Sequence, residues 1–216
     1  MKNNPVYKLL RTLILGACLF LGTQVSHAIS YHFSIDTSGL SGDPGAPFAL
    51  DFQFIGDGSN TITIGNFKFG GGSASNDPSM AGAFGATSGD LSSSVTLTTG
   101  SGGEFFNEFF QGFTAGSRLS FDVFFYDPVV NLTPDMFSFS ILDNQLFNIP
   151  TSYGVGNALG VIEFNGANPA PAVFVADNGV TVTVPDHGTT FGLLGMALLG
   201  LVGVHQSSRL RALLAA

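Results

Sequence analysis

Residues 118–126 read RLSFDVFFY, and this stretch decides the fold class. Every second position is apolar, namely Leu119, Phe121, Val123 and Phe125. A period of two is that of a β-strand with one face buried, whereas an amphipathic helix repeats every 3.6 residues. The same alternation occurs at Ile29–Asp36 and at residues 48–54. The sequence therefore predicts an all-β protein.

Further short apolar runs predict additional strands along the chain. They lie at residues 61–69, 94–98, 136–142, 159–164, 172–176 and 180–184. The last two flank Asp177, Asn178 and Gly179, and an Asn-Gly pair between alternating runs predicts a β-hairpin. These runs amount to about nine strands, and the chain has 22 phenylalanines that could fill the interior between two sheets. The sequence therefore predicts a single antiparallel β-sandwich, jelly-roll-like, at residues 29–184.

Two stretches do not follow the alternation. Residues 70–90 are rich in Gly, Ser and Ala, which predicts a mobile loop. Residues 104–113, EFFNEFFQGF, space their phenylalanines as a helical turn would, but glycines stand close on both sides. We favour a strand buried between two sheets over one or two helical turns.

The N-terminus has the order of a secretory signal peptide. Lys2, Lys8 and Arg11 precede an apolar run, and small Ser26 and Ala28 precede a possible cleavage site. Residues 1–28 are therefore predicted to be removed by signal peptidase, leaving Ile29 first. An amphipathic helix and a lipoprotein signal ending at Cys18 are the alternatives.

The predicted domain is strongly acidic. Residues 29–184 contain fourteen Asp and Glu against Lys68 and Arg118, a net charge of −12. Nucleic acids and anionic membrane surfaces are bound through clustered Lys and Arg, which this region lacks. The sequence thus predicts no nucleic-acid partner.

Few residues of the domain are suited to catalysis. Cys18 is the only cysteine of the chain, and His32 is the only histidine at residues 29–184. A histidine zinc site needs two or three ligands close together, which one histidine cannot supply. A catalytic nucleophile would have only His32 as its base, and no Gly-x-Ser-x-Gly motif occurs in the sequence. We therefore predict a protein that is not an enzyme, with no catalytic residues and no metal ligands.

Three weaker possibilities stay open. Glu104 and Glu108 are the close glutamates that a glycosidase would need, although solvated positions explain them more simply. No cofactor is predicted, although calcium could bind loop oxygens at residues 57–60, 143–144 or 177–179. The Asp, Asn and Gly residues of these stretches are also ordinary turn formers. Sugar binding would depend on Tyr31, Tyr126 or Tyr153, of which Tyr31 is predicted to point inward.

Residues 185–216 form the third segment. Residues 191–204 carry no charge, and Arg209 and Arg211 follow. Extended to residues 189–208, the run reaches the roughly 20 residues that a transmembrane helix needs. The arginines would act as a stop-transfer signal and stay cytoplasmic, with the β domain outside. A buried C-terminal helix is the alternative.

The segment resembles a PEP-CTERM sorting signal of the Val-Pro-Asp-Ser-Gly-like variant. The resemblance rests on Val184, Pro185, Asp186 and Gly188, on the apolar span and on the arginines, while His187 stands where the variant usually has Ser or Gly. The stretches YHFSIDTSGLSG and LDFQFIGDG also resemble a type of exported PEP-CTERM cargo. Pro185 would end the last strand because it has no N–H to donate.

The resemblance implies an exported protein of a two-membraned bacterium that makes exopolysaccharide. It implies an exosortase as partner, cleavage near Pro185 and Asp186, and an inner-membrane precursor that passes to the cell surface or extracellular matrix. We expect a non-enzymatic exopolysaccharide- or biofilm-associated protein. A carbohydrate-binding module of the same matrix is the alternative, and a glycosidase using Glu104 or Glu108 is a third possibility.

Overall fold

A computed structural model describes residues 29–57, 60–100, 104–125, 135–153, 156–164 and 171–184. These residues form thirteen strands and two short 3-10 helices, at Ser38–Leu40 and Pro78–Met80, with no α-helix among them. The strands are β1 Ile29–Asp36, β2 Phe48–Ile55, β3 Thr61–Lys68, β4 Ser73–Ala74, β5 Ala81–Phe84, β6 Thr87–Gly89, β7 Ser94–Thr98, β8 Phe106–Thr114, β9 Arg118–Phe125, β10 Asp135–Leu142, β11 Gly160–Phe164, β12 Pro171–Val173 and β13 Thr181–Thr183. The predicted all-β class is confirmed.

The strands form two antiparallel sheets. Sheet A has the order β13-β1-β9-β3-β7-β6, and sheet B has the order β12-β11-β10-β2-β8-β4, with β5 also paired to β8. In sheet A, β1 pairs with β9 from Ile29 opposite Phe125 to Asp36 opposite Arg118. In sheet B, β2 pairs with β8 on one side and with β10 on the other. These long central pairings make β2 and β9 the middle of their sheets.

A layer of phenylalanines joins the two sheets. Phe121 of sheet A lies 5.3 Å from Phe52 and 5.1 Å from Phe139 of sheet B, measured between ring centroids, and both contacts are edge-on. Phe125 and Phe164 make a further contact of 4.1 Å. Edge-on pairs of this kind stabilise a core beyond the effect of apolar burial alone. The core is therefore that of a sandwich, as the alternation predicted.

The Phe-rich stretch at residues 104–113 is a strand. Phe106–Thr114 forms β8, which is hydrogen-bonded between β2 and the short strands β4 and β5. Its inward side chains include Phe109 and Phe113, but also Asn107 and Gln111, which are buried. Ladder pairing along both edges holds this segment extended despite its helix-like spacing of phenylalanines.

Two expectations about loops are wrong. Residues 70–90 contain β4, β5, β6 and a 3-10 helix, because their backbone pairs with β7 and β8, which present open ladder positions whatever the side chains. The predicted hairpin around Asn178 is also absent: the turn is made, but β12 pairs with β11 in sheet B while β13 pairs with β1 in sheet A. The turn therefore joins the two sheets.

The predicted C-terminal membrane span at residues 191–204 lies outside the described residues. Within the described ranges, no helix has both the length and the apolar character to cross a bilayer.

Candidate functional site

A row of polar side chains crosses the outer face of sheet B, which is the face turned away from sheet A. Phe52 of β2 points toward sheet A, so its neighbours Asp51 and Gln53 point outward. Gln53 stands opposite Glu108 of β8, and Asp51 stands opposite Ser140 of β10. The antiparallel register thus brings two carboxylates, an amide and a hydroxyl together from three strands.

Gln53 links the two carboxylates. Its Nε2 donates to Oδ2 of Asp51 at 3.0 Å and to Oε1 of Glu108 at 3.1 Å. A side-chain amide has two N–H donors, so both are used here. Asp51 and Glu108 are consequently held as a pair by one nitrogen atom.

A second chain of hydrogen bonds runs through Ser140. Its Oγ lies 3.0 Å from Oδ2 of Asp51 and 2.8 Å from Oδ1 of Asn148. The amide nitrogen of Asn148 donates to the carbonyl of Gly156, which fixes Oδ1 as the atom facing Ser140. A hydroxyl has a single proton to donate, so both contacts are satisfied when Asp51 itself carries a proton.

The position of Asp51 favours that proton. Asp51 is only 2 % exposed, and its Oδ1 has no hydrogen-bond partner among the described residues. Burial, and next the negative charge of Glu108, raise the pKa of Asp51 to about 7, against the opposing hydrogen bonds from Ser140 and Gln53. A carboxyl group with a pKa near 7 changes charge in the neutral range, whereas an ordinary aspartate does not.

The pair lies in a hollow of about 300 Å³, which we call the carboxylate cleft. Its lining combines four polar or acidic side chains with four apolar ones, and the apolar Phe147 is 67 % exposed. A second hollow of about 160 Å³ shares Gln53 and Asn148 with the cleft and adds Ser138 and Tyr153. The residues of the carboxylate cleft are Asp51, Gln53, Glu108, Phe110, Leu142, Leu146, Phe147 and Asn148.

A tight turn after β10 presents Phe147 to the cleft. Asp143 Oδ1 accepts hydrogen bonds from the backbone N–H groups of Gln145 and Phe147, and Leu146 has a positive φ of 62°. Asn144 Nδ2 donates to the carbonyls of Pro44 and Ala46, which fastens the turn to the loop before β2. The chain therefore holds an exposed aromatic ring at the rim of an acidic hollow.

Among the calcium candidates from the sequence, Asp143, Asn144 and Asn178 stabilise turns. Asp143 and Asn144 make the turn just described, and Asn178 Oδ1 accepts from the backbone N–H of Val180. Asn60 Nδ2 donates to Asp135, while residues 58 and 59 lie outside the described residues. In the described part of the chain, no group of three or more His, Cys, Asp or Glu is arranged to hold a metal ion.

His32 lies on the opposite sheet from the cleft. Its Nδ1 is 2.6 Å from Oδ1 of Asp122, and Asn66 Nδ2 donates to the other carboxylate oxygen at 2.7 Å. Partial burial raises the pKa of Asp122, but the hydrogen bonds from Asn66 and His32 outweigh it and leave that pKa lowered. The histidine side chain is 40 % exposed and is a hydrogen-bonding partner of Asp122 on the surface of sheet A.

The carboxylate pair differs from the one the sequence suggested. Glu104 is exposed ahead of β8, whereas Glu108 is half-buried in the cleft beside Asp51. Sequence reasoning missed Asp51 because alternation predicted a solvent-facing side chain there. The available signal was an acid within the apolar run FALDFQFI.

The three tyrosines that the sequence offered for sugar binding lie in different environments. Tyr31 is buried and packs edge-on against Phe125, as predicted. Tyr153 is half-buried beside the second hollow and lies 4.4 Å from Phe174. Tyr126 lies outside the described residues. Of the two described tyrosines, Tyr153 is therefore the one placed where an aromatic ring could contact a ligand.

Most of the predicted sorting residues also lie outside the described residues. These are Ser26, Ala28, Pro185, Asp186, Gly188, Arg209 and Arg211. Val184 is described and half-buried, directly after β13, which pairs with β1 at the edge of sheet A. The motif therefore follows immediately on the last strand of the sandwich.

Comparison with known proteins identifies the C-terminal segment. Residues 183–205 match the model of the VPDSG-CTERM motif, which confirms the predicted PEP-CTERM-like sorting signal. Neither the curated proteins nor the solved structures include a match to this chain. The motif indicates an exported, surface-associated protein and implies processing by a sorting enzyme such as an exosortase.

Proposed function

We propose that this chain is a non-enzymatic protein of the cell surface or extracellular matrix, released from a membrane-bound precursor by an exosortase. The observation that carries the proposal is the sorting motif at residues 183–205, which begins at the last residue of β13. Cleavage near Pro185 and Asp186 would separate the sandwich from the tail without removing a strand. The proposal includes a jelly-roll-like sandwich and a C-terminal transmembrane helix.

The charge of the domain supports a role outside the cell without nucleic acid. Residues 29–184 contain two basic and fourteen acidic residues, so their sequence offers no basic patch that could bind the phosphates of a nucleic acid. The resulting net negative charge keeps an exported protein soluble at high local concentration. Signal peptidase would remove residues 1–28, and Arg209 and Arg211 would hold the tail on the cytoplasmic side.

The intact mass of the protein in each cell fraction tests this proposal. We expect an extracellular species that begins at Ile29 and ends near Asp186, with any additional mass reporting an attached group. Replacing Asp186 by Ala should leave the precursor in the membrane fraction, whereas Asp177→Ala, an exposed turn residue, should not. An extracellular species that retains Arg209 and Arg211 would refute exosortase processing.

A carbohydrate-binding module of the same matrix is the second candidate. The observation that favours it is the carboxylate cleft, which combines hydrogen-bonding groups on its floor with the exposed ring of Phe147 at its rim. Ligand sites are commonly concave, mostly apolar and furnished with a few polar groups. Retention of the protein on matrix polysaccharide, and loss of that retention in Phe147→Ala, would support this candidate.

A further inference from the structure

We propose that the carboxylate cleft binds a saccharide that carries a protonated amino group. This inference deepens the carbohydrate-binding candidate, and it rests on the proposed function only in placing the domain outside the cell. It does not depend on how the C-terminal tail is processed.

The charges of the cleft select a cation. Among the described residues that line the cleft, Asp51 and Glu108 are the only titratable ones, and Gln53 holds these two acids together. No lysine, arginine or histidine belongs to this described lining. The negative charge of Glu108 opposes ionisation of Asp51 beside it, and a positive charge placed between the pair and solvent offsets that repulsion. An acidic sugar would instead add a further negative charge.

The hydrogen-bonding groups of the cleft select a donor. Both N–H groups of Gln53 are given to the carboxylates, and one of the two N–H groups of Asn148 is given to the carbonyl of Gly156. The half-buried carboxylate of Glu108 keeps acceptor capacity at the cleft surface, and Oδ1 of Asp51, buried behind it, has no partner among the described residues. An ammonium group brings three donors and no acceptor, which complements this arrangement.

The size and walls of the cleft select an organic cation over a metal ion. Calcium takes six to eight oxygen ligands, and the cleft offers two carboxylates whose contacts are already shared with Gln53. A hollow of about 300 Å³ is within the range of sites for small organic ligands. The faces of Phe110 and Phe147 offer apolar and cation–π contacts to an ammonium-bearing ring.

The neighbouring hollow selects a chain of sugars over an isolated amine. It adjoins the cleft through Gln53 and Asn148, and it presents the hydroxyl of Ser138 and the ring of Tyr153. Hydroxyl groups both donate and accept, so they suit the ring hydroxyls of a second sugar unit. The two hollows together therefore match a short stretch of an amino-sugar polymer.

Calorimetric titration of the full chain, purified in detergent, tests the inference with three oligosaccharides of equal length. The probes are an oligomer of glucosamine, its N-acetylated form and an oligomer of glucuronic acid. We expect the glucosamine oligomer to bind at least about tenfold more tightly than the other two, a difference that corresponds to about 1.4 kcal/mol. Equal binding of all three would overturn the inference, and this comparison requires no variant.

Matched variants locate the site. Glu108→Gln should weaken binding of the glucosamine oligomer at least about tenfold, whereas Glu163→Gln, an exposed glutamate of β11 outside the cleft, should not. Phe147→Ala should also weaken binding, and Phe105→Ala, equally a removal of an exposed ring, should not. Unchanged binding in Glu108→Gln would refute the assignment.

Two further outcomes would also count against it. A lysine-rich peptide that binds the cleft while the glucosamine oligomer does not would indicate a protein partner. Hydrolysis of the oligomer that is lost in Glu108→Gln would make the site catalytic. Failure of all sugar binding would leave the mass analysis of C-terminal processing unaffected, so the two proposals fail separately.

Discussion

Asp51 and Glu108, on neighbouring strands of sheet B, accept hydrogen bonds from the same nitrogen, Nε2 of Gln53, at 3.0 and 3.1 Å. One of the two, Asp51, is almost fully buried, and the other is half-buried at the cleft surface. The pair thus places a buried carboxyl group directly behind an accessible carboxylate. This arrangement has consequences for stability that can be measured without knowledge of any ligand.

Raising the pH from 5 to 8 should destabilise the protein. Burial and the charge of Glu108 raise the pKa of Asp51 from its usual value of 3.8 to about 7. The folded state therefore holds the proton more tightly than the unfolded chain. The resulting stability is complete below about pH 4 and is lost as pH rises through about 7. The upper limit of the loss is roughly 4 kcal/mol, to be measured by urea unfolding at several pH values.

Replacing Asp51 by Asn should remove most of this dependence and make the protein more stable than the wild type at pH 8. Asp177→Asn, at an exposed turn, should leave the dependence unchanged. Hydrogen bonds lower the pKa of four other carboxyl groups, those of Asp36, Asp77, Asp90 and Asp122. Their contribution is lost only as pH falls below about 4, so a slope that persists in Asp51→Asn would contradict the assignment.

Replacing Phe121 by Ala should cost about 3–5 kcal/mol of unfolding free energy. This ring is fully buried and contacts Phe33, Phe52 and Phe139 with centroid distances of 5.5, 5.3 and 5.1 Å, so it belongs to the interface of both sheets. Phe105→Ala removes a ring that is 58 % exposed and should change stability little. Equal losses in the two variants, measured by denaturant unfolding, would mean that Phe121 does not occupy the core.

The strands with clear alternation could be predicted from the sequence, because one buried face imposes a period of two. β1, β2 and β9 are examples, and their inward residues are those expected. β4, β5 and β6 could not be predicted, because small residues such as Ala83 and Ser88 pair through backbone groups that every residue carries. The prediction of a hairpin at Asn178 was wrong because a turn signal determines the local chain path but not which sheet each flanking strand joins.

The sorting motif could be predicted from the sequence, whereas the carboxylate cleft could not. Val184 and Pro185 belong to a contiguous pattern, so the sequence alone identified it. Asp51 and Glu108 are 57 positions apart, and only the register of β2 against β8 brings them together. Alternation predicts which face Asp51 occupies, but it does not predict that the loop after β10 covers that face.

Replacing Gly160 by Ala should destabilise the protein by about 1–3 kcal/mol. Gly160 pairs with Phe139 across β11 and β10, and an added Cβ would clash with Cε1 of that buried ring. The ring is enclosed by other phenylalanines and cannot move aside freely. Gly65→Ala, in β3, is the matched control because its Cβ would find ordinary contacts, the nearest at 3.7 Å. A thermal midpoint that falls no further in Gly160→Ala than in Gly65→Ala would contradict this packing.

Replacing Asn107 by Ala should cost about 1–3 kcal/mol, the usual penalty for leaving buried polar groups without partners. Asn107 is fully buried in β8, where Oδ1 accepts from the N–H of Ala86 at 2.7 Å and Nδ2 donates to the carbonyls of Phe54 and Glu104. Asn107→Asp should be worse at neutral pH, because a carboxylate would face those carbonyls. Asn76→Ala, at an exposed position, is the control. If Asn107→Asp were as stable as the wild type in denaturant unfolding, the amide would not be the group that ties Ala86 to the sheet.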